Sequence, residues 1–205
     1  MIDTVRTLLS LVLPAAAAVM GTKAADAGEN SLANLKTAFN GESNARARYL
    51  AFAAKADEEG YAQAASLFRA AARAEQIHAA NHAAVITKMG GKAEAKIEAP
   101  EVKSTRENLQ VAIAGEIYER DIMYPQFIAV AEQEKNSAAL RTFRYALKAE
   151  AEHAQLFTEA LENLQNMRTK SYYFVCPVCG YTVKQLNFMQ CVVCLCAKEK
   201  FEAVN

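Results

Sequence analysis

Two short stretches of this sequence combine groups that bind metal ions: Glu75-Gln-Ile-His78 and Glu150-Ala-Glu-His153. In each, a carboxylate and an imidazole stand three positions apart, so on a helix they share one face and can reach the same ion cluster. The apolar residues around them recur at helical spacing and turn that face inward. Phe68, Ala71, Val85 and Met89 align with Glu75 and His78, while Leu140, Phe143, Leu147, Phe157 and Leu161 align with Glu150. Buried ionised groups are costly unless something pairs with them. Two Glu–His pairs in one core therefore call for cations.

Two further apolar stripes carry the same anomaly. Leu35, Phe39, Ala45, Tyr49 and Phe52 align with Glu42, and Leu109, Ala112, Ile113, Met123 and Phe127 align with Glu116 and Glu119. The candidate ligands on four inward faces are thus Glu42, Glu75, His78, Glu116, Glu119, Glu150 and His153. One Glu from each of two helices plus Glu-x-x-His from each of the other two is the established ligand pattern of di-iron carboxylate bundles, so this step matches a known arrangement. Glu119 is one carboxylate more than that pattern has.

The elements that must position these groups follow from the same periodicity. A first helix is expected over residues 31–58, capped by Asn30 or Ser31 and ended by Gly60. A second runs over 61–89 and stops at Gly90-Gly91. A linker extends through Pro100, and Ser104-Thr-Arg-Glu107 reads as a capping box opening a third helix to about residue 133. A fourth starts at Asn136-Ser137 and ends near Met167. Glu42 lies 18 residues before Gly60 and Glu75 lies 15 after it, so an antiparallel hairpin brings them nearly level. Glu116 and Glu150 relate to Asn136 in the same way. The linker is long enough to run the length of the bundle or to loop back. Pro125, six residues after Glu119, removes a backbone donor and predicts a kink with a freed carbonyl near Asp121.

Composition bounds the rest. The chain has 205 residues, 52% of them hydrophobic, with 23 basic and 23 acidic side chains. A zero net charge argues against a broad phosphate-binding surface, so nucleic acid is not an expected partner. Residues 1–30 differ in character from the remainder of the chain. Leu8 to Met20 is an apolar run broken by Pro14, and Ala25-Asp-Ala27 has the small-residue pattern of a cleavage site. The run is too short for a membrane span, which takes about 20 residues. It reads either as a signal peptide over residues 1–27, with an exported or periplasmic protein, or as an extension of a cytoplasmic one.

After Ser171 the character changes again. Cys176-Pro-Val-Cys179-Gly180 and Cys191-Val-Val-Cys194 form two C-x-x-C knuckles, eleven residues apart. Four thiolates so spaced make a tetrahedral site suited to one iron or to zinc. About 35 residues cannot build a sufficient core, so the metal should hold this segment together. Cys196 is left as a spare thiol. The second knuckle lacks the Pro and Gly of the first, which puts the hydrogen bonding around its sulfurs in question.

In order and combination these motifs resemble the rubrerythrin family. The resemblance rests on Gly41-Glu42-Ser-Asn-Ala-Arg-Ala-Arg-Tyr49, Glu75-x-x-His78, Glu116-x-x-Glu119 followed by Met123-Tyr124-Pro125, Glu150-x-x-His153 and the two knuckles. It implies an all-α ferritin-like four-helix bundle over residues 31–168. A small rubredoxin-like domain, zinc-ribbon-like and built of short strands, would come after it over 171–205. It also implies two non-haem irons bridged by Glu75 and Glu150, with Glu42, Glu119 and His78 at one iron and Glu116 and His153 at the other. Glu119 and His78 would exchange as ligands with the redox state, and Tyr49 and Tyr124 would donate to peroxide or to a ligand carboxylate. The implied activity is reduction of hydrogen peroxide to water as a defence against oxidative stress. Electrons would come from a rubredoxin- or reductase-type protein through the four-cysteine iron, commonly in a homodimer where that centre of one subunit serves the other. His82, one turn beyond His78, reads as a partner of a nearby carboxylate or solvent.

Two other readings use the same residues. One is an iron-binding or ferroxidase bundle whose tail is a structural zinc ribbon, and the other is an oxygen-activating oxidase.

Overall fold

The computed structural model describes residues 30–205; the N-terminal apolar run and its cleavage-like pattern lie outside them. The first hairpin pairs α1 (Ser31–Glu58) with α2 (Ala62–Lys88), and the second pairs α3 (Thr105–Tyr118) and α4 (Tyr124–Gln133) with α5 (Ser137–Glu162). Asn30 caps α1 by accepting from the Ala33 N–H at 2.9 Å. Gly60 and Gly90 close the first two helices with φ of 76° and 77°, a conformation costly for residues with a Cβ. The capping box of Ser104 and Glu107 is formed in both directions. No helix among the described residues is long and apolar enough to cross a membrane.

The linker runs the length of the bundle rather than looping back. It starts beside Leu32, where Gly91 packs, is held to Asn40 and Asn44 through the backbone of Lys96 and Glu98, and delivers Thr105 to Glu59 at the far end of α1. The third helix therefore runs antiparallel to α1, and Glu134 at its end accepts from the Ser31 N–H at 3.0 Å.

Three expectations are corrected. The third helix is not one kinked rod: residues Glu119–Met123 form a π-helical turn between α3 and α4. Tyr124 N–H reaches back five residues to the Glu119 carbonyl, and Pro125, which has no N–H to give, sits in the first turn of α4. The last helix ends at Glu162 rather than near Met167, giving way to a 3-10 turn over Leu164–Asn166. Met89, read as core, is 39% exposed because it caps α2 at the bundle's end.

Two apolar clusters fill the bundle, with the polar residues between them. One gathers Tyr49, Phe52, Phe68 and Phe157; the other gathers Leu35, Tyr124 and Phe143. Beyond the bundle, β1 (Tyr173–Val175), β2 (Thr182–Val183) and β3 (Glu202–Val204) form an antiparallel sheet in the order β2-β1-β3. The sheet and knuckles lie along α2 and α5. Arg73 grips Glu202 with two hydrogen bonds of 2.7 and 2.9 Å, Arg69 donates to the Asn205 carbonyl, and Tyr181 donates to Glu152.

Candidate metal centres

Helical spacing and the level hairpins bring six of the seven predicted bundle ligands together. Glu42, Glu75, His78 and Glu150 form one group whose ligand atoms all lie within 4.8 Å of one another, and Glu75, Glu116, Glu150 and His153 form a second. Glu75 and Glu150 belong to both, which is the placement of bridging ligands. Every one of these residues is at most 1% exposed. Glu119, on the π-helical turn, belongs to neither group and is half-buried. Its carboxyl is still pushed well above the usual carboxylate range, by burial first and then by the charge of Glu42.

The two imidazoles are oriented alike. Nδ1 of His78 lies 2.8 Å from Glu75 and 3.0 Å from Glu150, and Nδ1 of His153 lies 2.9 Å from Glu150. Their outer nitrogens bond to the tail: His78 Nε2 donates to the Cys179 carbonyl at 3.0 Å, and His153 Nε2 lies 3.1 Å from the Thr182 hydroxyl. That hydroxyl itself donates to the Gly180 carbonyl and so accepts from His153. A neutral ring held by Nε2–H presents the Nδ1 lone pair inward, as a metal ligand must.

The electrostatics ask for positive charge. Burial, then the neighbouring Glu75 carboxylate, pushes Glu116 up to about 8. Burial, Glu75 and Glu150 hold Glu42 well above the usual range. Burial also opposes charge on Glu150, but His78 and His153 overcome it and bring that carboxyl down to about 2. Against burial, the carboxylates raise both imidazoles. Six ligand-type atoms here have no hydrogen-bond partner: Glu42 Oε2, Glu75 Oε1, Glu116 Oε2, both oxygens of Glu150, and His153 Nδ1. Buried polar atoms are rarely left unpaired, so this many in one spot fit a pair of cations.

Both predicted tyrosines donate to ligand-type carboxylates: Tyr49 to Glu116 and Tyr124 to Glu42, each fully buried. His82 proves equally buried and polar-bonded, to Tyr124 and Thr142 rather than to solvent. Its spacing of four from His78 was the only signal in the sequence. Thr142 and Thr182 gave none, because a lone threonine on a helix or strand has no distinctive pattern.

In the tail, Cys176, Cys179 and Cys191 are buried and Cys194 is partly exposed, and the four sulfurs form a third group. Cys176 and Cys194 are 3.4 Å apart and Cys179 and Cys191 3.6 Å, all as free thiols. Tetrahedral ligation at about 2.3 Å places sulfurs roughly 3.8 Å apart, so a small expansion of this cluster gives the spacing of four sulfurs around one metal. The Cys179 thiol beside it helps bring Cys176 down to about 5, toward the thiolate that binds metal. The two knuckles close identically. Gly180 N–H bonds the Cys176 carbonyl and Leu195 N–H the Cys191 carbonyl, with φ of 78° and 63°. Leu195 thus adopts the left-handed conformation that Gly supplies in the first knuckle.

A family model described as rubrerythrin matches residues 33–161. The chain is 39% identical over 175 residues to nigerythrin of Nitratidesulfovibrio vulgaris, covering 85% of this chain and 86% of that protein. It is 37% identical to rubrerythrin-2 of Clostridium acetobutylicum, over 82% of this chain and 94% of that one. Among solved structures, fully reduced, all-ferrous nigerythrin superposes with a TM-score of 0.81 at 35% identity, over 97% of this chain and 100% of the other. A Desulfovibrio desulfuricans bacterioferritin superposes at 0.62 and 21% identity over 67% of this chain and 81% of its own, which extends the likeness in fold to the ferritin-like bundle.

Proposed function

This chain belongs to the rubrerythrin family, and on that premise we propose that it is a di-iron peroxidase that reduces hydrogen peroxide to water with electrons relayed through its four-cysteine iron. Glu75 and Glu150 would be shared by the two bundle irons, with Glu42 and His78 holding one and Glu116 and His153 the other. Glu119, held on the π-helical turn near Glu42, is the carboxylate that can exchange with His78. Two irons so held supply the paired electrons that O–O cleavage takes up.

The residues do the rest. The two aromatic clusters and the tail exclude bulk water from the site. Tyr49 and Tyr124 keep phenolic protons, since burial first and neighbouring carboxylates second raise both phenols well above their usual range. The reaction consumes two protons and two electrons for each peroxide and releases two waters. An external rubredoxin- or reductase-type protein restores the electrons to the four-cysteine centre.

The observation that carries this reading is the 3.0 Å hydrogen bond from His78 Nε2 to the Cys179 carbonyl. It joins a ligand of one candidate centre to the backbone of a ligand of the other, inside one chain. A purely structural zinc ribbon has no need of that contact. In a homodimer that exchanged tails between subunits, the same contact would be made between chains.

Metal analysis with anaerobic titration tests the proposal. The purified full chain should hold ~3 irons, two in the carboxylate site and one in the four-cysteine site. Its thiolate-to-ferric absorption should bleach on reduction and return at once with hydrogen peroxide. Glu75→Ala should retain that absorption after air oxidation and lose the rapid return with peroxide. Zinc in the four-cysteine site of natively produced protein, with no peroxide consumption, would favour the ferroxidase reading.

A further inference from the structure

The chain has three histidines, and the metal centre uses two. The third, His82, is completely buried one turn along α2, with its Nε2 3.8 Å from Glu42 Oε1, too far for a direct hydrogen bond. Its Nε2 lies 3.1 Å from the Tyr124 hydroxyl and its Nδ1 3.0 Å from the Thr142 hydroxyl. Tyr124 in turn donates to Glu42 Oε1.

We propose that Thr142 and His82 are positioning residues for the metal centre, forming with Tyr124 a one-way chain of hydrogen bonds that fixes the Glu42 carboxylate. The direction of the chain follows from its carboxylate end. An ionised Glu42 can only accept, so Tyr124 must give it the phenolic proton. The Tyr124 oxygen is then left to accept, which places the ring proton of His82 on Nε2. Nδ1 becomes the acceptor, and Thr142 donates to it. A neutral imidazole has one N–H and one acceptor nitrogen, and the two hydroxyls beside His82 take one each. Every polar atom in the chain is paired, and Glu42 Oε2 alone is left without a partner to face the cation.

The companion half of the site has no such backing. Tyr49 donates to Glu116, but around its ring stand Phe52, Phe68 and Phe157, with centroids 5.3 to 6.3 Å away. Tyr124 also packs on aromatic rings, Phe127 and Phe143, yet His82 adds a donor to its oxygen. A phenol that accepts one hydrogen bond while donating another is polarised into a stronger donor. These hydrogen bonds therefore make Glu42 more firmly oriented than Glu116. This inference rests on the two-metal reading given above, and its test does not use peroxide turnover.

Zinc serves as a diamagnetic probe in the full-length protein. Long-range nitrogen–proton NMR of the zinc-loaded protein should show His82 as the Nε2–H tautomer, and Thr142→Val should weaken that preference. A chelator-competition titration of the bundle site should show one of two zinc-binding steps weakened about tenfold in His82→Leu, the usual scale for removing a group that orients a ligand. His82→Gln, which keeps an N–H near the Nε2 position, should recover most of that affinity; a loss caused by packing alone would not be rescued by the polar side chain. A wild-type His82 that carries its proton on Nδ1 would overturn the proposal even if neither variant folds. So would Leu and Gln variants with equal zinc affinity. Failure of the zinc-loaded bundle to take up two ions would instead count against the two-metal reading itself.

Discussion

In the bundle, the carboxylates and imidazoles stand between two apolar clusters that are complete without them; in the tail, the four thiols are themselves a large part of the core, with Val183 and Phe201. The same task, gathering metal ligands out of water, is thus solved in two ways. Four helices bury enough apolar surface to force charged groups into a strained proximity that cations then relieve. Three short strands bury too little to fold on that basis, and their ligation must supply the fold. The difference teaches that metal should be a tenant of the bundle and a structural member of the tail.

The strongest test of that contrast is to remove one thiol. Cys176→Ser should unfold the tail, because apparent metal-binding free energies in such small sites are on the order of 10 kcal/mol. Limited proteolysis should then cut after about residue 171 while helical circular dichroism stays near its full value. Loss of helix in parallel with the tail would break the distinction.

A second test separates the bundle's own stability from that of its ligands. Without metal, Glu42 and Glu116 hold protons in the folded bundle that they give up on unfolding. The folded state then binds more protons than the unfolded one, so stability falls as pH rises from the ordinary carboxylate range through about 8, the value for Glu116. The two raised imidazoles and Glu119 act in the same direction, the lowered Glu150 acts only below that window, and His82, lowered to about 3, opposes the trend only up to about pH 6.5. Chelated protein should therefore melt at a lower temperature at pH 8 than at pH 5.5, and metal-loaded protein should show a much smaller difference. Thermal melts of the bundle helices with and without chelator decide this.

The smallest effects belong to the knuckles, and their signs are opposite. Gly180 is left-handed, and a Cβ there would overlap the imidazole of His78. Gly180→Ala should cost about 1–2 kcal/mol for the backbone alone and more as the tail is pushed off His78. Leu195 is left-handed too, but its side chain is 69% exposed and presses on little. Leu195→Gly should stabilise the tail by up to about 1 kcal/mol, since it relieves that backbone cost less the extra entropy glycine loses on folding. Denaturant melts of the metal-loaded tail would read both; a destabilised Leu195→Gly would show that the exposed leucine has a contact partner.

Much of this was legible in the chain itself. Period and caps gave the helices from Asn30 to Gly90, because helix starts and stops are local chemistry. Glu-x-x-His on an apolar stripe announced ligands, because no stable core holds unpaired charge. The C-x-x-C pairs announced the thiol cluster for the same kind of local reason. Other features needed the folded chain. The linker's course depends on Asn40, Asn44 and Glu59 meeting backbone 46 to 56 residues away, and the π-helical turn that carries Glu119 arises where Pro125 must find room in the packed bundle. The seating of Cys179 on His78, 101 residues apart, and the backing of Tyr124 by His82 and Thr142, up to 60 residues apart, are likewise decided only in three dimensions. Residue type and spacing fix what a short stretch can form by itself; which distant donor meets which acceptor is settled by how whole helices pack.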